Sequence, residues 1–391
     1  MFYNNIIGTI DRIEHKMYKS NKFKGWIMPT LSLCMIVKNE EEYIKAALES
    51  AKTVVDEIII LDTGSTDRTK FICSDYTDKI YETEWKDDFG DARNKCIEKA
   101  SGDWVLWLDA DERILIKNET AFKELLLKED SNVFSVKLLH LTDSESEEEK
   151  KYFISYHNRL FRRTGNFFFK GSIHEKLVIE PGIAPKSDNA GNCVEIIHYG
   201  YGRKNMKEKA LRNLNICLEE KRKDADDPWL DYFIACELFR LGDIKDALEL
   251  VNQAIIGFLS KSKMPPSLLY KLKYDILIDN GKPETVCEGL EKVINLYKDY
   301  VELHFYHGIS LLQLDRYEAA IREFSYCVLL GEEDGEYLIR CGSGSFLAYY
   351  YMGEAYAKSG DKENACEAFR QALLYHPGFN EAQRKLEELK I

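Results

Sequence analysis

The chain has 391 residues, 45% hydrophobic and 31% charged, with a net charge of −13. That length exceeds what one compact core organises, so two domains are expected, and the composition is that of a folded protein. The excess of acids repels a phosphate backbone and no Lys/Arg stripe interrupts it, which excludes nucleic acid as a partner.

Residues 1–30 place Ile6, Ile10, Ile13 and Met17 at helical spacing among lysines. This predicts an N-terminal helical extension packed on its own protein, although a basic amphipathic helix can also touch a membrane surface. The continuous apolar stretch of a signal peptide or membrane span is lacking, so no stable membrane insertion is expected. Ten cysteines are scattered without a C-x-x-C pair, the usage of a reducing cytoplasm where thiols serve as small buried hydrophobes.

From residue 31, short apolar runs alternate with amphipathic segments. "LSLCMIV" reads as a buried strand, "EEYIKAALESA" as a helix, "EIIILD" as a strand, "DRTKFICSDY" as a helix, "KIYET" as a strand, "GDARNKCIEKAS" as a helix and "DWVLWLD" as a fourth strand. That order argues an α/β fold, a parallel sheet with helices on both faces, and ligands in such sheets sit at the carboxyl ends of the strands. Asn39, Glu40, Asp62, Ser65, Arg93, Asp109 and Asp111 lie at or near those ends and are expected to converge on one crevice. Residues 131–200, rich in aromatic and β-branched residues, read as a mixed or antiparallel extension of the sheet, and "DSESEEEKK" as a solvated loop.

After a helix over 205–223, four copies of a paired-helix pattern begin at residues 228, 267, 301 and 346. Each carries Ala235, Tyr274, Gly308 or Gly353 at its eighth place and Ala247, Val286, Ala320 or Ala365 near its twentieth. This is the tetratricopeptide pattern, in which a small side chain lets the next helix pack close. The fourth copy, ending at Pro377, matches best, and the uneven intervals require insertions, the largest in "LGEEDGEYLIRCGSG". The expected domains are the extension 1–30, the sheet domain 31–204 and the repeats 205–391. Stacked repeats form a groove that mostly binds peptides; the plainer reading is a homodimer or scaffold surface.

"VLWLDADERI" ends an apolar strand with Asp109, Asp111 and Glu112. Carboxylates gathered at a buried strand end are costly unless a positive charge is brought there, and a divalent cation is the simplest candidate. An EF-hand is excluded, since the loop lacks its Gly and its later Glu. A lone D-x-D is a weak signal that this strand context strengthens. A structural alternative has Asp62 and Ser65 capping the following helix and Arg93 paired with Asp87 or Asp91.

"LSLCMIVKNEEEYI", "DEIIILDTGSTDRT", "DDFGDARNKCIEKASGDWVLWLDADE" and "NRLFRR…FFFKGSIHEKL" together resemble the family 2 glycosyltransferases of the GT-A fold, in the branch with C-terminal tetratricopeptide repeats. "WKDDFGDARNK", the "HE" pair and "HYGY" are similar to the sublancin-type enzymes that glycosylate bacteriocin peptides. The resemblance implies a Rossmann-like nucleotide-sugar domain followed by all-α repeats. It implies a UDP-sugar donor, with UDP-glucose expected, and Mg²⁺ or Mn²⁺ as cofactor. Carried over, Val37, Asn39 and Glu40 line the base and ribose, Asp62 bonds the base, and Arg93 approaches the diphosphate or holds the acidic loop. Asp109 meets the ribose or a metal-bound water and, together with Asp111, is expected to hold the ion; Ala110 lies between the acids, and His198 is a further metal ligand. Glu175 is the first choice for the base of an inverting transfer and His174 the second, the family's acidic doublet being His-Glu here; the plain alternative for Glu175 is an ion pair with Arg159 or Arg162.

The acceptor is then a Cys or Ser side chain of a peptide held by the repeats. Competing readings are a cell-surface glycan or lipid acceptor, and a peptide-binding scaffold with a dead nucleotide fold. A nucleotidyltransferase is set aside because "VKNEEE" is acidic where a basic Gly-rich loop is needed.

Overall fold

The computed structural model describes residues 28–141, 152–164, 166–180, 186–199, 206–332 and 336–389. The expected N-terminal helix and the acidic loop at 143–151 lie outside them. The first element, β1 (Leu31–Val37), is almost wholly buried, as an apolar run must be when helices cover both faces of its sheet. It is followed by α1 (Ile44–Ala51), β2 (Glu57–Asp62), α2 (Thr69–Ser74), β3 (Ile80–Glu82), α3 (Phe89–Ile97) and β4 (Trp104–Trp107). β1 pairs in parallel with β2 and β4, and β2 with β3. The strand order β3-β2-β1-β4 reverses direction between β1 and β4, which opens a crevice at their carboxyl ends.

A strand absent from the sequence reading, β5 (Glu112–Ile116), starts at the third acid and is followed by α4 (Glu119–Leu126). Then come β6 (Val133–Leu141), β7 (Tyr152–Arg162), β8 (Phe167–Lys170), β9 (Lys176–Ile179), β10 (Ser187–Asn189) and β11 (Val194–His198). β7 runs antiparallel to β4 and β6, while β11 lies parallel to β6 and antiparallel to β5. The mixed extension is therefore present, with β8 and β9 set apart as their own two-stranded sheet.

The helical half comprises α5 (Met206–Lys223), α6 (Pro228–Leu241), α7 (Ile244–Ser260), α8 (Ser267–Asn280), α9 (Pro283–Ile294), α10 (Val301–Gln313) and α11 (Tyr317–Leu330). After the short β12 (Ile339–Arg340) it continues with α12 (Phe346–Ser359), α13 (Lys362–Tyr375) and α14 (Asn380–Leu389). The four sequence repeats are the pairs α6/α7, α8/α9, α10/α11 and α12/α13. The small eighth residues act as the pattern requires. A Cβ on Gly308 would stand 2.6 Å from the Phe324 ring, and one on Gly353 would stand 2.7 Å from the Phe369 ring, so each glycine admits the aromatic of its partner helix. The second repeat inverts the arrangement: Tyr274 is the large member and its hydroxyl lies 2.6 Å from where a Gly289 Cβ would be.

The two halves share a core. β12, which lies in the long insertion between the third and fourth repeats, pairs antiparallel with β7 through Ile339 and Ile154. Both residues belong to the apolar cluster of the helices. Glu302 on α10, fully buried, accepts from the Arg340 N–H at 2.8 Å, the Ser343 hydroxyl at 3.2 Å and the Tyr306 hydroxyl at 2.9 Å. The Lys271 ammonium on α8 sits 4.7 Å from the centre of the Phe153 ring on β7. The insertion thus joins the repeats to β7, an inner strand of the sheet.

Candidate functional site

The crevice at the β1/β4 switch point is built by four loops. After β1 the chain turns through Asn39, whose φ is +56°, a left-handed conformation that Asn tolerates better than most residues. Its side-chain carbonyl accepts from the Thr66 N–H at 2.7 Å, and its own N–H donates to Ser65 Oγ at 3.0 Å. Val37, buried at the strand end, accepts from the Thr63 N–H at 3.0 Å. The loops after β1 and β2 are thereby tied together. Asp62 closes the second loop as an Asx turn, with Oδ1 accepting from the N–H groups of Gly64 (2.9 Å) and Ser65 (2.8 Å). Asp62 Oδ2 is buried with no hydrogen-bond partner among the described residues. The capping alternative fails here: α2 starts beyond this loop at Thr69, whose N–H donates to Asp67 Oδ1 at 2.9 Å.

The third loop leads into α3. Asp88 caps the helix by accepting from the Asp91 N–H at 2.8 Å. Asn94 clamps β8 with its whole amide, donating to the Phe169 carbonyl at 2.9 Å and accepting from the Phe169 N–H at 2.7 Å. Gly90 lets the helix start approach the β8–β9 turn, because a Cβ there would lie 2.6 Å from the Gly171 carbonyl oxygen. Phe89 N–H also donates to the Ser172 carbonyl at 2.8 Å. These contacts bring Arg93 on α3 against Glu175 in that turn, Nε to Oε1 at 2.5 Å.

Arg93 is the hub of the site. Its guanidinium lies 4.5 Å from the Trp107 ring centre and 5.2 Å from that of Phe169. Nη1 stands 3.1 Å from Asp109 Oδ1. Arg93 Nε and Nη1 meet these carboxylates at ion-pair distance without hydrogen-bond alignment. The suggested pairing of Arg93 with Asp87 or Asp91 is not formed, and Glu175 pairs with Arg93 rather than with Arg159 or Arg162.

The three acids at the end of β4 part company. Asp109 is held by Arg93, by Arg159 Nη2 at 3.3 Å and by the Trp107 indole N–H at 3.1 Å. Burial opposes its ionisation, but the two arginines prevail and lower its pKa. Glu112, 1% exposed, turns back to accept from the Asp109 N–H at 2.9 Å and pairs with Arg159 at 2.6 Å. Burial pushes it up to about 7. Arginines thus pair with two of the three acids, Asp109 and Glu112.

Asp111 is different. Its Oδ1 faces His198 Nε2 at 3.4 Å and its Oδ2 faces Lys209 Nζ at 3.4 Å. Burial works against the carboxylate, yet His198 and Lys209 hold its pKa well below the ordinary value. The His198 pKa is raised: burial lowers it, and Asp111 more than compensates. Adjacent donors of an octahedral ion at about 2.1 Å stand about 3 Å apart, so Asp111 and His198 fit a divalent cation with oxygen and imidazole ligands. Ala110 is buried between the acids. Asp109 does not form a ligand trio with Asp111 and His198 within 4.8 Å.

Glu40 lies near this group. Burial raises its pKa to about 7; Lys209 counters while Asp111 and Asp109 reinforce. His174 also has a positive φ, +49°. Its ring stacks on Phe233 of α6 at 4.0 Å, and burial lowers its pKa to about 4. It points into the helical half, away from the Arg93–Asp109 network that holds Glu175.

Several site residues had no place in the sequence reading. Ser155 and His157 share one face of β7 through strand alternation, a polar pair in an apolar stretch that could have been noticed; Arg159, considered only as a partner of Glu175, follows at the register shift opposite Phe134 and Ser135. Ser155 Oγ bridges His157 Nε2 at 3.0 Å and His140 Nε2 at 2.6 Å, and His140 Nδ1 meets His198 Nδ1 at 3.0 Å. Lys209 and Arg212 come from α5, far along the chain; no local pattern marks them.

Residues 32–177 match the profile described as Glycosyl transferase family 2, and residues 346–379 match Tetratricopeptide repeat. A TPR repeat-containing protein of Synechococcus elongatus is 32% identical over 66% of this chain and 63% of its own length. The SPbeta prophage-derived glycosyltransferase SunS of Bacillus subtilis is 33% identical over 59% of this chain and 54% of its own. The chain thus spans between half and two thirds of these curated relatives. A crystal structure of glucosyl-3-phosphoglycerate synthase from Mycobacterium tuberculosis with Mg²⁺ and uridine-diphosphate overlaps 29% of this chain and 44% of that one, at 25% identity and a TM-score of 0.24. Residues 32–177 thus match glycosyl transferase family 2, and a tetratricopeptide repeat match lies behind them at 346–379.

Proposed function

We propose that this protein is a metal-dependent inverting glycosyltransferase that moves a hexose from a UDP-sugar to a Cys or Ser side chain of a peptide. The observation that carries the reading is the Asp111–His198 pair at the switch-point crevice, set beside an Arg93–Asp109–Glu175 network. Asp111 and His198 hold the divalent ion. Bound there, Mg²⁺ or Mn²⁺ supplies positive charge to a departing diphosphate.

The remaining roles belong to the chain itself. Asp62 Oδ2, buried and without a hydrogen-bond partner among the described residues, takes a hydrogen bond from the nucleotide base, as its desolvation requires. Val37, Asn39, Glu40 and Ser65 shape the loops around base and ribose. Arg93 orients Asp109 and Glu175, and Asp109 meets the ribose. Glu175 accepts the proton of the incoming nucleophile; a thiol, ionising near pH ~8.5, depends on that help less than a serine hydroxyl does. The repeats hold the acceptor peptide, and the domain limits are 31–204 and 205–391. Among the described residues no helix is long and apolar enough to cross a membrane.

Mass spectrometry of Cys- and Ser-containing peptides incubated with a panel of UDP-sugars and Mn²⁺ tests the reading. A hexose mass increment on the peptide, with UDP-glucose as the expected donor, supports it. UDP-sugar turnover with glycan or lipid acceptors alone would replace the peptide. The absence of both UDP binding and turnover leaves the scaffold reading.

A further inference from the structure

Away from the crevice, the helices bring together a second group of donor atoms. Cys287 and Glu291 lie four residues apart on α9, so they share one face and one turn. His307 on α10 faces them. One ligand atom from each of Cys287, Glu291 and His307 lies within 4.8 Å of the other two, and His307 Nε2 is 3.9 Å from Glu291 Oε1. Cys287 is 2% exposed and His307 7%. His307 Nε2 makes no hydrogen bond among the described residues, a costly state for a buried imidazole. On its other side, His307 Nδ1 stands 3.1 Å from Glu323 Oε1 on α11. A carboxylate behind a histidine whose far nitrogen points at further donors is the arrangement that orients metal-bound imidazoles.

We propose that Cys287, Glu291 and His307 form a zinc site that pins α9 to α10 across the junction of the second and third repeats. Thiolate, imidazole and carboxylate suit Zn²⁺, which binds at about 2.0–2.3 Å. Donors of a tetrahedral site at those lengths stand about 3.3–3.8 Å apart, so donors that lie within 4.8 Å of one another close the site with shifts of about 1 Å or less. The Cys287 thiol gives its proton to solvent as the metal–sulfur bond forms. Solvent reaches the site past the exposed Glu291, leaving the fourth position to water. Glu323 fixes the His307 ring so that Nε2 faces the ion. Nothing in this site depends on the nucleotide-sugar crevice.

Cobalt titration of the full chain, read by thiolate-to-cobalt charge-transfer absorption, tests the assignment. The expected result is a band that saturates at one equivalent, is displaced by Zn²⁺, and disappears in Cys287→Ser and in His307→Gln. It persists in Asp111→Asn, which alters only the other candidate ion site. Glu291→Gln changes an exposed side chain and so keeps the fold; it weakens cobalt binding at least about tenfold by removing a ligand. Zn²⁺ also raises the melting temperature of the unmodified chain but not of Glu291→Gln. A chain that shows no thiolate band, or one whose band survives His307→Gln or is unmoved in affinity by Glu291→Gln, overturns the proposal.

Discussion

The sheet domain and the helical half both bury carboxylates, and they treat them differently. In the repeats, Glu302 has three hydrogen-bond donors and a distant ammonium, Lys271 Nζ at 4.0 Å. In the crevice, among the described residues, Asp62 keeps one buried oxygen unpartnered, and Asp111 faces a histidine and a lysine at 3.4 Å. A completed network positions backbone; an incomplete one is a place for something to bind. The same acid is thus structural or functional according to how many donors the fold delivers to it.

Variants that exchange these roles test the contrast. Asp111→Asn carries the largest expected effect, a fall in kcat/KM of about 10³, the loss of several kcal/mol of leaving-group stabilisation. Calorimetry must show weakened Mn²⁺ binding in parallel; intact Mn²⁺ affinity would take Asp111 out of the ion site. Glu175→Gln is expected to cost about 10²–10³ on a serine peptide and distinctly less on the cysteine peptide. Equal losses on both acceptors would show that Glu175 only holds Arg93. Asp62→Asn is expected to weaken UDP binding about tenfold, roughly 1.4 kcal/mol, without lowering the melting temperature.

The converse holds in the helical half. Glu302→Gln is expected to destabilise the protein by about 1–3 kcal/mol while UDP affinity stays unchanged, as read by denaturant melts and fluorescence titration. A matching loss of UDP affinity would mean that the β12–β7 junction shapes the crevice. The smallest effect is one of pH. Glu57, at the end of β2 remote from the crevice, is opposed by burial but lowered to about 2 by Lys79, Ser32 and Ser101. A depressed carboxylate contributes stability that is present above its ordinary value of 4.5 and is lost as pH falls through the folded value of about 2. Stability should therefore decline over that window, and Glu57→Gln should flatten the decline.

How much of this was legible depended on the range of the interaction. The four parallel strands follow from short continuous apolar runs and the paired helices from a period of 3.6 in the side chains, and Gly308 and Gly353 announced their close packing by spacing alone. β5 was missed because its five residues directly follow the acids, and a strand that short has little pattern of its own. The capping role given to Asp62 and Ser65 was reasonable on residue type, but the chain needs a further turn before Thr69, and the Asx turn takes those donors first.

By itself, then, the sequence determined the fold class, the repeat count and the residues gathered at the strand ends, since each rests on neighbours within a few positions of the chain. Tertiary structure alone decided which charge meets which. Arg159 from β7 and Arg93 from α3 reach Asp109, Lys209 from α5 reaches Asp111, and the insertion at Ile339–Arg340 pairs with β7. Coulombic pairing depends on distance in space, and those distances exist only once the sheet and the helices have packed.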